Sequence, residues 1–396
     1  LDFENKDSIG ISDLEKYDFI ILPQPFLNRF KSGVASTTPH AAVYAAAPPA
    51  HSVAAHAPTR MTQTVLAASK RVASFVHRTP TFTSTTVNAA AGAGRSVIFK
   101  AESLQKTGSF KIRGAVNAML QIAPDDAKRG VVTHSSGNHG QAVAAAAAMV
   151  GLSATVVLPE TVPAAKVRAC EMYGAQVVFC KPSQSARLHG VAEIVERTGA
   201  TVVPPYDHMH VVEGQATLGY ELMEQHPELD AIIVPTSGGG LLAGVAMGAK
   251  AINPAVRVFA VEPEGKGLGV ALRENVRTNA VADEPIDTIA DAIRTRPLGA
   301  VPWPIVRELA EHHVFTVNDA EIAAGMRFGF ERMKLVVEPA AGCGIATVVE
   351  GHLRRYLDAE EEEAVAAEEE EDEGRRVRSI GVILCGGNVD LDVLPW

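Results

Sequence analysis

The run Ala231-Ile-Ile-Val-Pro-Thr-Ser237-Gly238-Gly239-Gly240-Leu241-Leu-Ala-Gly-Val-Ala-Met-Gly-Ala-Lys250 joins a β-branched stretch to an apolar helical one through three glycines. Glycine permits the tight turn and leaves backbone N–H groups open, and a helix N-terminus adds positive potential. The spacing therefore predicts strand, anion-holding turn and helix. Short Val/Ile runs of the same kind recur at 96–100, 130–134, 154–158, 175–179, 256–261 and 379–384, separated by helix-length segments. That alternation predicts an α/β fold of parallel sheets with helices on both faces. Ligands in such folds sit beyond the carboxyl ends of the strands, where the glycine-rich turns fall.

Three further turns carry chemistry. Glu102-Ser-Leu-Gln-Lys-Thr-Gly-Ser-Phe110-Lys111-Ile112 places one lysine between apolar neighbours, an environment that favours the neutral, nucleophilic amine. Taken alone, the stretch reads more readily as a lysine opening a surface helix. His134-Ser135-Ser136-Gly137-Asn138-His139-Gly140 follows the 130–134 run and precedes an alanine-rich helix. A helix cap needs one Ser or Asn, not a cluster ending in glycine. Cys385-Gly-Gly-Asn388 ends the last strand; its thiol is otherwise a small buried hydrophobe.

Together, and in this order, these stretches resemble the motifs of the pyridoxal-phosphate-dependent serine/threonine dehydratase and serine racemase family, with its tryptophan-synthase-β-like fold. The likeness runs from about Met61 to the C-terminus, and 331–342 (Glu-Arg-Met-Lys-Leu-Val-Val-Glu-Pro-Ala-Ala-Gly) reads most like the racemase branch. The resemblance implies that Lys111 carries the cofactor, beside Phe110. It implies that Asn138 meets the cofactor's phenolic oxygen, that Ser237, Gly238, Gly239, Gly240 and Leu241 hold its phosphate, and that Cys385 meets its ring nitrogen. Ser135, Ser136, Gly137, Asn138 and His139 would bind the substrate carboxylate, with Arg187 nearby. Ser136 would face the substrate carbon opposite Lys111. The implied activity is interconversion of L- and D-serine with loss of water and ammonia from L-serine, and from threonine in some relatives. A dedicated L-threonine/L-serine or 3-hydroxyaspartate ammonia-lyase is the alternative, and an amino-acid-binding relative without catalysis a third reading that Lys111 argues against.

The resemblance also implies a divalent-cation (magnesium) site at Glu262. Here Lys266 and Leu268 stand where relatives offer a backbone carbonyl and an Asp, which weakens a hard oxygen site. Lys106 and Thr107 match contacts to ATP in activated relatives, and a homodimer follows by analogy. Glu213-Gly-Gln-Ala-Thr217 also resembles a family motif, with Ala216 replacing the usual glycine. A different class fits the glycine turn too. Gly238, Gly240 and Ala243 are in dinucleotide-fingerprint register with Glu262 ending the next strand, as in a nicotinamide-dependent oxidoreductase. That reading leaves Lys111 and Cys385 unexplained.

Composition bounds the rest. The chain has 396 residues, 47% of them hydrophobic, and no run long enough to span a bilayer. Ten acids and no base lie between Glu360 and Glu373, so the net charge of −10 is local, and no basic patch argues for nucleic acid. The insert at 358–376 is expected to be a solvated surface loop. Residues 1–60 read as a disordered extension, acid-poor from 35 to 58 yet arginine-poor for a transit peptide; the opening Leu1 leaves the true terminus undefined. Four irregularly spaced cysteines indicate a reducing compartment, read as cytoplasmic without excluding an organelle. The expected organisation is a large cofactor domain, 61–129 with 208–396, around a small domain, 130–207. With Trp396 so soon after the Cys385 motif, the C-terminal regulatory domain of biosynthetic threonine deaminases is not expected.

Overall fold

The computed structural model describes residues 58–92, 94–135, 137–162, 164–277, 285–366 and 376–396. The extension up to 57 and Ser136 lie outside the described residues. Among the described residues, ten strands form two sheets. The larger has the order β1 (Thr81–Thr83), β2 (Ser96–Ala101), β10 (Ser379–Leu384), β7 (Ala231–Pro235), β8 (Arg257–Pro263), β9 (Val314–Val317). The smaller has the order β5 (Gln176–Cys180), β4 (Ala154–Pro159), β3 (Val131–His134), β6 (Thr201–Val202). All pairings are parallel except β1 with β2. Strand β10 is central, Val382 lying between Phe99 and Ile233, and every residue of β7 and β10 is buried. Such two-sided burial is why these strands read as unbroken apolar runs.

The runs that predict β2, β3, β4, β5, β7, β8 and β10 all form strands. Strands β1, β6 and β9 carry no comparable signal, being two to four residues long at or near sheet edges. Among the helices, α1 (Lys111–Met119) packs on α3 (Met209–Gln225) at very short range. A Cβ on Gly214 would fall 2.5 Å from the Arg113 carbonyl, so only glycine lets the two backbones meet. Helix α2 (Asn138–Val150) presents buried Ala142 and Ala144 to Ala147 to the same layer. Helix α4 (Gly240–Lys250) follows β7 as predicted, and α5 (Leu268–Glu274) follows β8.

Two expectations near the C-terminus need correction. The helical spacing from 345 to 356 predicts one helix, but Gly351, at φ +74°, separates α6 (Pro339–Val349) from α7 (His352–Ala366). The acid-rich insert is not a loop from 358: α7 carries it as helix through Ala366. Asp358 and Glu361 pair with the buried Arg95 at 2.6 and 2.8 Å, and Glu360 with Arg257 at 2.8 Å. Like-charge repulsion along the run is offset by cations from distant parts of the chain, which local charge counting does not see. The rest of the insert, 367–375, lies outside the described residues.

Candidate active site

Lys111 opens α1 just after β2, and its loop is laced to the end of β10. Phe110 N–H donates to the Cys385 carbonyl at 3.1 Å and Gly387 N–H to the Gly108 carbonyl at 2.9 Å. The Asn388 amide donates to the Thr107 carbonyl at 2.7 Å. Thr107 itself holds a left-handed backbone, φ 64°, which those contacts keep in place. The Lys111 ammonium lies 5.0 Å from the Phe110 ring centre and donates to the Pro205 carbonyl at 2.8 Å. Burial lowers its pKa to about 8, against the opposing fields of Cys385 and Glu338. No described carboxylate is bonded to this amine, so it is free to become neutral.

Beneath α1 lies a closed ionic network. Arg113, wholly buried, donates to both oxygens of Glu102 at 2.8 Å and to Glu221 at 3.0 Å; Lys100, also wholly buried, bonds Glu221 as well. Lys100 further donates to the Thr79 carbonyl at 2.8 Å. Sequence reading treated Glu102 only as the start of a motif and missed the network, whose four members are up to 121 positions apart.

Asn138 and His139 lie in the first turn of α2 rather than in a loop. The Asn138 amide donates to both oxygens of Glu338, at 3.0 and 2.9 Å, while its carbonyl accepts from Asn388 at 2.9 Å. The Cys385 thiol points at Glu338 Oε1, 3.8 Å away, and burial holds it protonated. Lys111, Asn138 and Cys385 are thus brought together around Glu338, a residue that sequence reading quoted but gave no role. Its one local signal is the following proline, which starts α6.

Burial raises the Glu338 carboxyl to about 7, the Asn138 amide pulling the other way. The folded value exceeds the unfolded value of 4.5, so this group's contribution to stability is intact below pH 4.5 and is lost as pH rises to about 7. Across that window the loss is about 3 kcal/mol. Glu338→Gln should therefore gain on the wild type between pH 5 and 8 in urea unfolding of the cofactor-free protein. An equal difference at both pH values would rule this out.

The glycine turn is built as predicted. Gly239, at φ +89°, caps α4 with no side-chain acceptor on the helix amides, and Gly238 to Gly240 are buried. The Tyr206 ring packs on it, so that a Cβ at Gly238 would lie 2.6 Å from ring atoms. An uncapped helix start, an inward lysine amine, a neutral thiol and an oriented Asn form a donor set that fits pyridoxal phosphate. A divalent ion does not fit at Glu262. One of its oxygens takes the Leu268 amide at 2.9 Å, and the nearby cation is buried Lys266, bonded to the carbonyls of Ser237, at 2.8 Å, and Thr295. Leu268 is apolar and buried, and no metal-binding cluster occurs among the described residues.

Ser135 Oγ accepts from Gly137 N–H at 3.3 Å, folding the turn before α2. His139 Nε2–H donates to the Val203 carbonyl at 2.9 Å, and burial lowers its pKa to about 3, so the ring is neutral with Nδ1 bare. Leu241 is buried behind the glycine turn. Arg187 donates to Gln184 of its own helix at 2.9 Å, and its Nε is buried without a hydrogen-bond partner among the described residues.

Residues 72–367 match the family model described as pyridoxal-phosphate dependent enzyme. Serine racemase of Arabidopsis thaliana is 39% identical over 324 residues, 82% of this chain and 92% of that protein. Among solved structures, maize serine racemase superposes with TM-score 0.74 at 37% identity, covering 84% of this chain and 94% of that one. A pyridoxal 5'-phosphate-dependent aspartate racemase does so with TM-score 0.75 at 40% identity, covering 84% and 97%. The dinucleotide reading of the glycine turn is thereby set aside: this chain belongs to the pyridoxal-phosphate dependent enzyme family, among the serine-racemase-like members with the tryptophan-synthase-β-like fold.

Proposed function

We propose that this chain racemises serine and, as a second outcome on the same site, eliminates water and ammonia from L-serine to give pyruvate. The observation that carries the reading is the Lys111 amine, inward, lowered to about 8 by burial and close to the neutral Cys385 thiol. Pyridoxal phosphate, when bound, withdraws electrons from the amino acid's α-carbon. Lys111 would hold it covalently until substrate enters and would then accept the α-proton on one face. The Ser136 hydroxyl would deliver its own proton to the other face, which inverts the carbon, and would take one back in the reverse direction. The α4 N-terminus and glycine turn would hold the phosphate, Asn138 would orient the phenolic oxygen, and backbone N–H groups of the turn that contains Ser135, Gly137 and His139 would receive the substrate carboxylate. A thiol is a weak donor and acceptor, so Cys385 cannot keep a proton on the ring nitrogen as a carboxylate would. That favours racemisation and elimination over transamination.

By analogy we further read the assembly as a homodimer, Lys106 and Thr107 as contacts for a nucleotide effector, and residues 130–207, which contain the smaller sheet, as a separate small domain. The four free cysteines accord with a cytoplasmic setting, and no described helix is long and apolar enough to cross a membrane.

The test measures D-serine and pyruvate from L-serine, with L-threonine and L-aspartate as comparison substrates, for wild type and Ser136→Ala. Positioned proton transfer is worth on the order of a hundredfold or more. Ser136→Ala should depress racemisation by at least that factor, while pyruvate formation, which needs only the lysine face, falls far less. A parallel drop in both, or a wild type giving pyruvate and no D-serine, leaves a dehydratase instead.

A further inference from the structure

Lys266 is 7% exposed and lies in the turn between β8 and α5. Its ammonium joins two carbonyls from separate parts of the chain, Ser237 at the head of the glycine turn and Thr295 in the segment before Leu298. Glu262, at the end of β8, supplies the nearby negative charge. Its second oxygen is buried without a hydrogen-bond partner among the described residues. Two carbonyls converging on one buried point need a donor between them, and a charged donor binds them most strongly. The peptide geometry adds a consequence. In a trans peptide the carbonyl and the following N–H point in opposite directions. Drawing the Ser237 carbonyl toward Lys266 therefore directs the Gly238 N–H to the other side of that peptide.

We propose that Lys266 is a positioning residue that replaces a bound divalent ion. Its tethered ammonium fixes the head of the glycine turn, so that phosphate binding there needs no metal. This rests on the reading that the turn holds the cofactor's phosphate. Its consequence is that the cation cannot be removed by chelation, whereas a metal held by Glu262 and carbonyls could be.

The experiment compares wild type, Lys266→Met, and a double variant, Lys266→Ala with Leu268→Asp, in magnesium chloride and in EDTA. It reads pyridoxal phosphate affinity, kcat at saturating cofactor, and the melting temperature of cofactor-free protein with and without inorganic phosphate. Wild type should be indifferent to magnesium in every readout. Lys266→Met should bind cofactor on the order of tenfold to a hundredfold more weakly, the loss expected for charge-assisted hydrogen bonds. It should also lose phosphate protection against melting, with kcat at saturation changed much less. The double variant offers a second carboxylate and vacates the space of the ammonium. It should regain cofactor affinity with magnesium and lose it in EDTA. If Lys266→Met does not fold, the double variant in magnesium decides. Wild-type binding by Lys266→Met, a magnesium-dependent wild type, or a double variant indifferent to magnesium each overturns the proposal. A wild type that forms no covalent cofactor link at Lys111 would instead sink the proposed function, while phosphate protection of the cofactor-free protein still tests Lys266.

Discussion

Lys111→Ala is expected to lose the visible absorbance of covalently held cofactor, its borohydride-reducible link, and turnover by on the order of ten-thousandfold or more, as when a covalent catalyst is deleted. The neighbouring lysines cannot substitute. Lys100 is wholly buried and bonded to Thr79, Glu221 and Gln225, and Lys266 is bonded to Ser237 and Thr295. Non-covalent cofactor should still bind, because the glycine turn, Asn138 and Cys385 are untouched. The amine's pKa adds a second signature. Burial lowers it from 10.5 to about 8, so its neutral, attacking fraction grows as pH rises and levels off above about 8. The rate of cofactor uptake by cofactor-free wild type should follow that curve. A reducible link surviving in Lys111→Ala would move the attachment to another lysine, and an uptake rate still climbing steeply at pH 10 would mean the amine is not desolvated.

What the sequence made legible was what local pattern encodes. The glycine turn needs Gly239 at positive φ and Gly238 against a ring, requirements confined to a few residues, and strands such as β7 declare themselves by unbroken apolar runs. Lys111, Asn138 and Cys385 were found through the resemblance of their motifs to a family; each motif follows a strand, and parallel topology gathers strand ends. Glu338 was not found, since what distinguishes it is its enclosure by residues 200 positions before and 47 positions after it. Pro205 and Tyr206 offer a carbonyl and a ring, features that no motif marks. Lys266 looked like the loss of a metal ligand and is a buried donor, a change visible only once Ser237 and Thr295 are brought together. Arg187 was carried by resemblance alone, and its hydrogen bond lies within its own helix. The acidic run was misread from 358 to 366 because its partners, Arg95 and Arg257, are more than 100 positions away.

The network under α1 gives the largest expected effect on stability. Arg113 and Lys100 carry two positive charges, Glu102 and Glu221 two negative ones, and none of the four is exposed by more than 8%. The group is neutral as a whole, so its desolvation is offset by its internal attractions. Arg113→Met deletes one cation and leaves a buried net charge of minus one, with both oxygens of Glu102 stripped of the guanidinium they accept from. Breaking such a buried pair from one side costs about 3–5 kcal/mol. Glu102→Gln leaves the opposite imbalance and should be costly for the same reason. The double variant, Arg113→Met with Glu102→Gln, restores neutrality and should cost markedly less than the sum of the singles. Urea unfolding of the cofactor-free proteins measures all four corners of this cycle. Because Arg113 lies two positions from Lys111, the Arg113 single should also show a smaller borohydride-reducible fraction, which the double variant partly restores. Additive costs would mean that the four groups do not act as one charge-balanced unit, and that Lys111 is seated by the packing of α1 on α3 alone.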